Sequence, residues 1–312
     1  MKFLKFTIAF LVLTSSLIFI LPTENFYIDL VQSFTFHAML GYVGLSALFA
    51  IFRWKYVTLT AISVSMLLAF HLLPHINNGI SNEYVMNGNT FKVAHFNVLG
   101  SNRHFDDIIN NSIKLNADIL SFQEVERAWA LKLMDGLEHQ YPYFAITEHE
   151  RHGVAIFSKY PLQDLHTYKW TGEPTLTGNI IYNDKQVHFV TTHTLSPRNP
   201  QRYQNRNEHL TKLAEYVKNI DGPVLAIGDF NAVPWNQYIV KIKESTDLVD
   251  SRKSIASTYP ANYPLGLPID YIFHSDELSC INFEAIEAKG SDHKGIIGEY
   301  AFNTPTMLVD MN

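Results

Sequence analysis

Three apolar stretches without a charged side chain open the chain: Phe6–Leu21, Phe34–Phe52 and Val57–Leu73, at 16, 19 and 17 residues. A helix needs about 20 apolar residues to cross a bilayer, and about 17 suffice. The second stretch fits as it stands, the third sits at the lower bound, and the first spans only with Phe3 and Leu4 added while Lys5 snorkels to the interface. The first also reads as a signal peptide, with Lys2 and Lys5 as its positive start, Phe6–Leu13 as its apolar part and Thr14-Ser15-Ser16 near a cleavage point, although Leu17–Leu21 resumes the apolar run. Lys2, Lys5 and the turn Arg53-Trp54-Lys55 are basic, whereas residues 22–33 and the segment after Leu73 have no Lys or Arg before Lys92. The positive-inside rule then leaves the N-terminus cytoplasmic and everything after Leu73 on the periplasmic or extracellular side of a bacterial inner or plasma membrane. His37 and His71 lie within these spans and read as helix-facing or interfacial groups.

The expected organisation is a membrane anchor over residues 1–75, with helices at about 6–21, 34–52 and 57–73. A polar linker over 76–90 follows, then a soluble domain over 91–304 and a tail over 305–312. With 47% hydrophobic residues, 13 Pro and 15 Gly, the chain is no disordered polymer. Its charge is uneven. Residues 1–75 hold Lys2, Lys5, Arg53 and Lys55 against Glu24 and Asp29, leaving 20 basic and 28 acidic residues beyond, a balance of −8. Bulk charge cannot hold a polyanion on such a domain, so phosphate chemistry needs local positive charge or a metal. Cys280 is the sole cysteine, which excludes an internal disulfide.

From Phe91 the periodicity changes. Strands are expected at 91–98, 118–125, 143–147, 153–157, 178–182, 186–192, 224–227, 269–274, 278–288 and 295–302, and helices at 104–115, 128–137 and 205–218. Many strands with few helices predict an α/β sandwich of two packed sheets with outer helices.

Several of these strands end on groups that a core refuses. Asn97 follows Val93–Phe96, Gln123-Glu124 closes Ile119–Phe122, and His193 closes Val187–Thr192. Asp229 and Asn231 follow Val224–Ile227, Asp270 opens Tyr271-Ile272-Phe273, and Asp292-His293 precedes Gly295-Ile296-Ile297. Singly, each is a cap or a turn. Together they are the parts of phosphoester hydrolysis, in which a hard divalent cation held by amide and carboxylate oxygens offsets the negative phosphate. Proton transfer then needs a base, an acid and an orienting group. Asn97 and Glu124 suit the first task; His193, His293 and Asp270 suit the second.

In this order, "FNVLG", "DILSFQEV", "GVAIFSKYP", "TTHT", "GDFNAVPW", "PIDYIF" and "GSDHKG" make residues 91–302 resemble the endonuclease/exonuclease/phosphatase superfamily, the DNase I-like metal-dependent phosphoesterases. The resemblance implies a four-layer sandwich of two mixed sheets, with Mg2+ or Mn2+ as cofactor. It implies Asn97 and Glu124 as metal ligands, with Asp292 as a ligand or a carboxylate behind one. Asp229 would orient or deprotonate the attacking water, and Asn231 would donate to a phosphoryl oxygen. His293, paired with Asp270, would activate water, and His193 would contact the phosphate or the leaving group. The apolar N-terminus, "NAVPW" and the helix from Arg206 to Leu213 also resemble a bacterial membrane-anchored branch of that superfamily.

These features predict a membrane-anchored, metal-dependent hydrolase of a phosphodiester, nuclease-like, attacking in line with an activated water. A phospholipid or lipid-linked phosphate is the alternative substrate, because a tethered domain sits at high effective concentration near headgroups. Pro260–Pro268 is apolar enough to touch a bilayer. Arg202 and Arg206 lie one helical turn apart; they either reach a substrate phosphate or form a solvated helix face. A catalytically silent binding module is the remaining reading, although every matched position keeps a competent residue. No protein partner can be inferred.

Overall fold

A computed structural model describes residues 2–76, 90–147 and 152–303; most of the expected linker and the whole of the expected tail lie outside them. The N-terminal part is helical: α1 (Lys2–Ser15), a 3-10 turn (Ser16–Phe19), α2 (Phe26–Gln32), α3 (Thr35–Ile51) and α4 (Lys55–Leu72). Two helical segments, Lys2–Phe19 and Lys55–His75, are long and apolar enough to cross a membrane. A third crossing arises if α2 and α3, bent by 61° at their junction, form one broken span. The expectation of three spans is therefore met as two or three. Val12 of α1 packs against Val57, Ala61, Val64 and Leu68 of α4, with Ala38, Tyr42 and Leu45 of α3 alongside. Phe6, Phe10, Leu48, Leu59 and Phe70 are turned outward and exposed.

The rest of the chain runs β1 (Thr90–Asn97), α5 (Phe105–Leu115), β2 (Ile119–Gln123), α6 (Arg127–Leu137), β3 (Tyr143–Ile146) and β4 (Val154–Ser158). It continues with β5 (Leu162–Tyr168), β6 (Thr175–Tyr182), β7 (Lys185–His193), α7 (Pro200–Val217), β8 (Val224–Asp229) and α8 (Gln237–Thr246). β9 (Val249–Asp250), β10 (Asp270–His274), β11 (Leu278–Ile286) and β12 (Gly295–Phe302) complete it. The first sheet has the order β11-β12-β1-β2-β4-β3 and the second β5-β6-β7-β8-β10-β9.

Alternation of side chains explains the four layers. Val93, Ile119 and Ile156 face Phe189, Leu225 and Ile227 between the sheets. Their neighbours Ala94, Leu120 and Phe157 turn outward to Ile108 of α5 and Trp129 and Leu133 of α6. On the other side Val190, Ala226 and Phe273 meet Leu210 and Leu213 of α7 and Ile239 of α8. Strands covered on both faces read as unbroken apolar runs, which is why the expected strands stood out. The sequence reading missed β5, an exposed polar edge strand without an apolar face, and α8, whose Asn236 cap follows directly on the Pro-Trp turn.

Each sheet contains one parallel pair, β1 with β2 and β7 with β8, and each pair is joined through a helix, α5 or α7. Parallel pairs linked by helices send their carboxyl ends to the same rim. β12 and β10 run antiparallel to β1 and β8, so their beginnings arrive at that rim as well.

The soluble part is clamped to the helices. Asp29 of α2, 2% exposed, pairs with the equally buried Arg206 of α7 at 3.1 Å, and Asn236 Nδ2 donates to its other oxygen at 2.7 Å. Trp235 Nε1 donates to the Gln32 carbonyl at 2.7 Å and Tyr238 donates to Glu24 at 2.6 Å. Beneath them Leu72, Val233, Trp235 and Ile269 form a shared apolar cluster with Phe36 and Met39 at its edge.

Candidate active site

The rim where both sheets end carries the polar strand ends. Register alone sets three of them abreast: His193 pairs with Asp229 across β7 and β8, and Asp229 with Asp270 across β8 and β10. In the facing sheet Asn97 lies beside Gln123 across β1 and β2, with Glu124 next in sequence. Gly228 precedes Asp229 at φ 150°, where a Cβ would stand 1.9 Å from the Thr192 carbonyl oxygen, so only glycine lets the strand turn its carboxylate into the cleft. Phe230 packs into the outer core, and Asn231 turns back at φ 48°, its N–H donating to Asp229 Oδ1 at 2.9 Å. Glu124 also has a positive φ, 58°, an uncommon setting for an acid that is held by the Gly100 N–H on its Oε2 at 3.2 Å.

Asp270, fully buried, accepts from two histidines: His293 Nδ1 at 2.9 Å and His95 Nε2 at 3.1 Å. Asp229 Oδ2 lies 3.5 Å from His193 Nε2 and 3.6 Å from His293 Nε2. The Asn97 amide nitrogen stands between Glu124 Oε1 at 3.1 Å and Asp229 Oδ2 at 3.2 Å. Asn231 Nδ2 donates to the Thr194 carbonyl at 2.9 Å and faces His193 Nε2 at 3.3 Å, so it orients that ring.

The electrostatics follow from burial and crowding. Burial and the neighbouring Asp270 push the Asp229 carboxyl up to about 8. Burial alone would also raise Asp270, but the His293 charge and the hydrogen bonds from His293 and His95 outweigh it and hold that carboxyl well below its usual range. His293 is the counterpart: burial opposes its charge, yet Asp270 and Asp229 raise it to about 10. Burial, with His152 and His293 nearby, lowers His193 and keeps it neutral.

A cavity of about 370 Å³ opens over this cluster, with Glu124, His193, Asp229, Asn231, Asp292 and His293 in its lining. Arg202 and Arg198 reach the same cavity. Arg206 does not: one turn further along α7, its guanidinium is taken up by Asp29 of α2, the Asn231 carbonyl and the Asn207 side chain, so one of the two arginines expected near a phosphate is a structural ion pair instead. Neither the solvated face nor the phosphate contact describes it, because its charged partner is a buried residue of α2. Two residues were not foreseen. His95, two places before Asn97 on β1, faces the same way, and the period of a strand would have found it. Tyr259 sets its ring 4.8 Å from that of His293, tilted by 40°, from a loop no local signal connects to the site.

The donor set fits a hard divalent cation. Carboxylate oxygens of Glu124 and Asp229 converge on the Asn97 Nδ2, so the positive end of an amide dipole already lies between them, while Asn97 Oδ1 accepts from Leu99 N at 3.0 Å. Among the described residues, Asp229, Asp270 and His293 also present ligand atoms within 4.8 Å of one another. That trio is knitted by the His293–Asp270 ion pair, which leaves its nitrogen a poor ligand.

The four-layer sandwich and this rim define a hydrolase of phosphoester bonds. Residues 94–293 match the Endonuclease/Exonuclease/phosphatase family, and the chain belongs to it. No curated protein matches the chain. Among solved structures, D. rerio TDP2 humanised by 14 mutations is 17% identical with a TM-score of 0.60, over 69% of this chain and 99% of that one. D. rerio TDP2 complexed with single strand DNA product is 16% identical at 0.59, over 69% and 100%. An endonuclease/exonuclease/phosphatase family protein from Bacteroides thetaiotaomicron is 16% identical at 0.59, over 69% and 99%. The human Nocturnin catalytic domain with bound sulfate anion is 17% identical at 0.57, over 69% and 95%. At these identities the likeness is one of fold.

Proposed function

We propose that the protein is a membrane-anchored, divalent-metal-dependent phosphodiesterase, with residues 1–75 as anchor and 91–304 as catalytic domain. The observation that carries it is the meeting, at one rim, of Asn97 and Glu124 from the first sheet with the buried His193, Asp229 and Asp270 from the second. Asn97 and Glu124 would hold Mg2+ or Mn2+, with Asp292 at the open side of the cavity. The cation, when bound, neutralises charge on the phosphoryl oxygens.

The chain's own residues divide the remaining work. Asp229, raised to about 8, is a carboxylate of unusual basicity and accepts the proton of the attacking water. His293, kept cationic by Asp270, supplies fixed positive charge to the phosphoryl group and is no proton acceptor at neutral pH. The proton-accepting role expected for the His293–Asp270 pair thus passes to Asp229. His193, neutral and oriented by Asn231, lines the phosphate side of the cavity, where Arg202 also reaches.

The Asp29 clamp supports the topology. Residues 22–33 lie between the first two apolar segments and contact the catalytic domain, a contact compatible with both lying on one side of a bilayer, in keeping with the basic turn at Arg53.

The test is turnover of bis(p-nitrophenyl) phosphate by the purified full chain in detergent. Activity should vanish in EDTA and return with Mg2+ or Mn2+. Undiminished turnover in EDTA would remove the metal from the reading.

A further inference from the structure

An apolar groove of about 490 Å³ runs beside the active site, within the range of about 300 to 1,000 Å³ for small-ligand pockets. One wall is Phe34 and His37 at the start of α3; the other is the loop before β10, through Tyr259, Pro260, Tyr263 and Leu265. Three observations say what it accommodates. The first wall is the start of α3, which joined to α2 is apolar enough to form a broken membrane span, so the groove lies against a candidate span. Tyr259 lines both the groove and the catalytic cavity, so the two adjoin across one side chain. Tyr263 and Leu265 leave 55% and 41% of their surface exposed, an apolar rim that water does not favour.

The loop is also held in place. The Leu265 carbonyl accepts from His37 Nε2 at 2.5 Å, and Ala261 N donates to the Asp292 carbonyl at 2.7 Å. Groove and site are therefore preformed together. The balance of −8 beyond residue 75 gives a polyanion no comparable handle.

We propose that the groove receives a hydrocarbon chain of a membrane lipid whose phosphoester lies in the adjoining active site. This rests on the phosphoesterase reading above and narrows its substrate to a lipid phosphoester. Water adds to phosphorus, the P–O bond to the lipid or headgroup alcohol breaks, and that alcohol leaves with a proton.

The test uses the full chain in detergent micelles with Mg2+ and four substrates: phosphatidylglycerol, phosphatidic acid, a single-stranded oligonucleotide and bis(p-nitrophenyl) phosphate. The first two separate a chain-bearing diester from a chain-bearing monoester. At least one lipid should be hydrolysed. The double variant Tyr263→Ser/Leu265→Ser, at two exposed positions outside the catalytic cavity, should lose about ten- to a hundredfold in kcat/KM on that lipid. Its rate on bis(p-nitrophenyl) phosphate should stay within about twofold, which also reports that it has folded. Hydrolysis of the soluble diester or the oligonucleotide with neither lipid touched overturns the inference and leaves the phosphoesterase reading standing. So does a double variant that keeps its lipid rate or slows lipid and soluble diester alike. Inactivity on all four substrates removes both.

Discussion

The ends of the first sheet deliver Asn97, Glu124, Asp292 and His293; the ends of the second deliver His193, Asp229, Asn231 and Asp270. Glu124 is half-buried and Asp292 exposed, whereas Asp229 and Asp270 are 1% and 0% exposed. One sheet presents its acids to whatever enters, and the other withdraws them to where burial and crowding change their proton affinity. The division has a physical reason. A hard cation must shed water to reach its ligands and needs them accessible, while a proton acceptor gains basicity from a dry and crowded setting. His293 and His95 cross the divide: both belong to the first sheet, and both bind Asp270 of the second.

Removing the crossing group should break the division most severely. His293→Ala is expected to lower kcat/KM on bis(p-nitrophenyl) phosphate by at least about a hundredfold, as loss of a fixed charge at the phosphoryl group does. Unchanged activity would refute its role.

Glu124→Gln tests the open half alone. The Mg2+ concentration for half-maximal rate should rise by roughly ten- to a hundredfold, with kcat largely recovered at saturating metal. A fall in kcat that no amount of metal restores would assign Glu124 to the proton-handling half.

His95→Ala should be milder, about a tenfold loss of kcat, because Asp270 keeps His293 as its stronger partner. Asp270 loses a hydrogen bond that holds its carboxyl low, so the acid limb of the pH–rate profile should move to higher pH. A rate loss without that movement would mark His95 as packing only.

The smallest effect concerns stability. In EDTA, His293 raised from 6.5 to about 10 stabilises the fold fully below its unfolded value and ceases to as pH rises through 10. Asp229, raised from 3.8 to about 8, is protonated in the fold at pH values where the unfolded chain has released that proton, so it too loses stability as pH rises toward 8. Both signs agree, and Tm should fall by several degrees between pH 6.5 and 10. Mg2+ should reverse much of the fall, since it favours ionised Asp229. A Tm that rises over this interval would show that neither shift holds.

The strand ends were legible because a polar residue at the end of an apolar run is a local signal, and six such ends, together with the seven motifs in order, pointed to both the sandwich and its rim. His95 was less visible, since a histidine inside a strand carries no mark of the aspartate that it meets 175 positions later. Arg206 shows the limit of helical spacing: one turn from Arg202, it nonetheless faces the buried Asp29, and only the path of the anchor decides that. The two features that suggested an anchored branch, "NAVPW" and the helix from Arg206, are the ones that grip the anchor through Trp235 and Arg206.

The clamp at Asp29 sets the height of the catalytic cavity above the ends of the apolar helices. A domain on a loose tether samples a hemisphere of solution, and its encounters scale with molar concentration. A domain bolted down through a buried ion pair and an indole instead meets its targets by lateral diffusion in two dimensions. For the proposed anchored enzyme on the proposed lipid, the natural measure of substrate would then be a mole fraction in the surface, and inert lipid should act as a diluent.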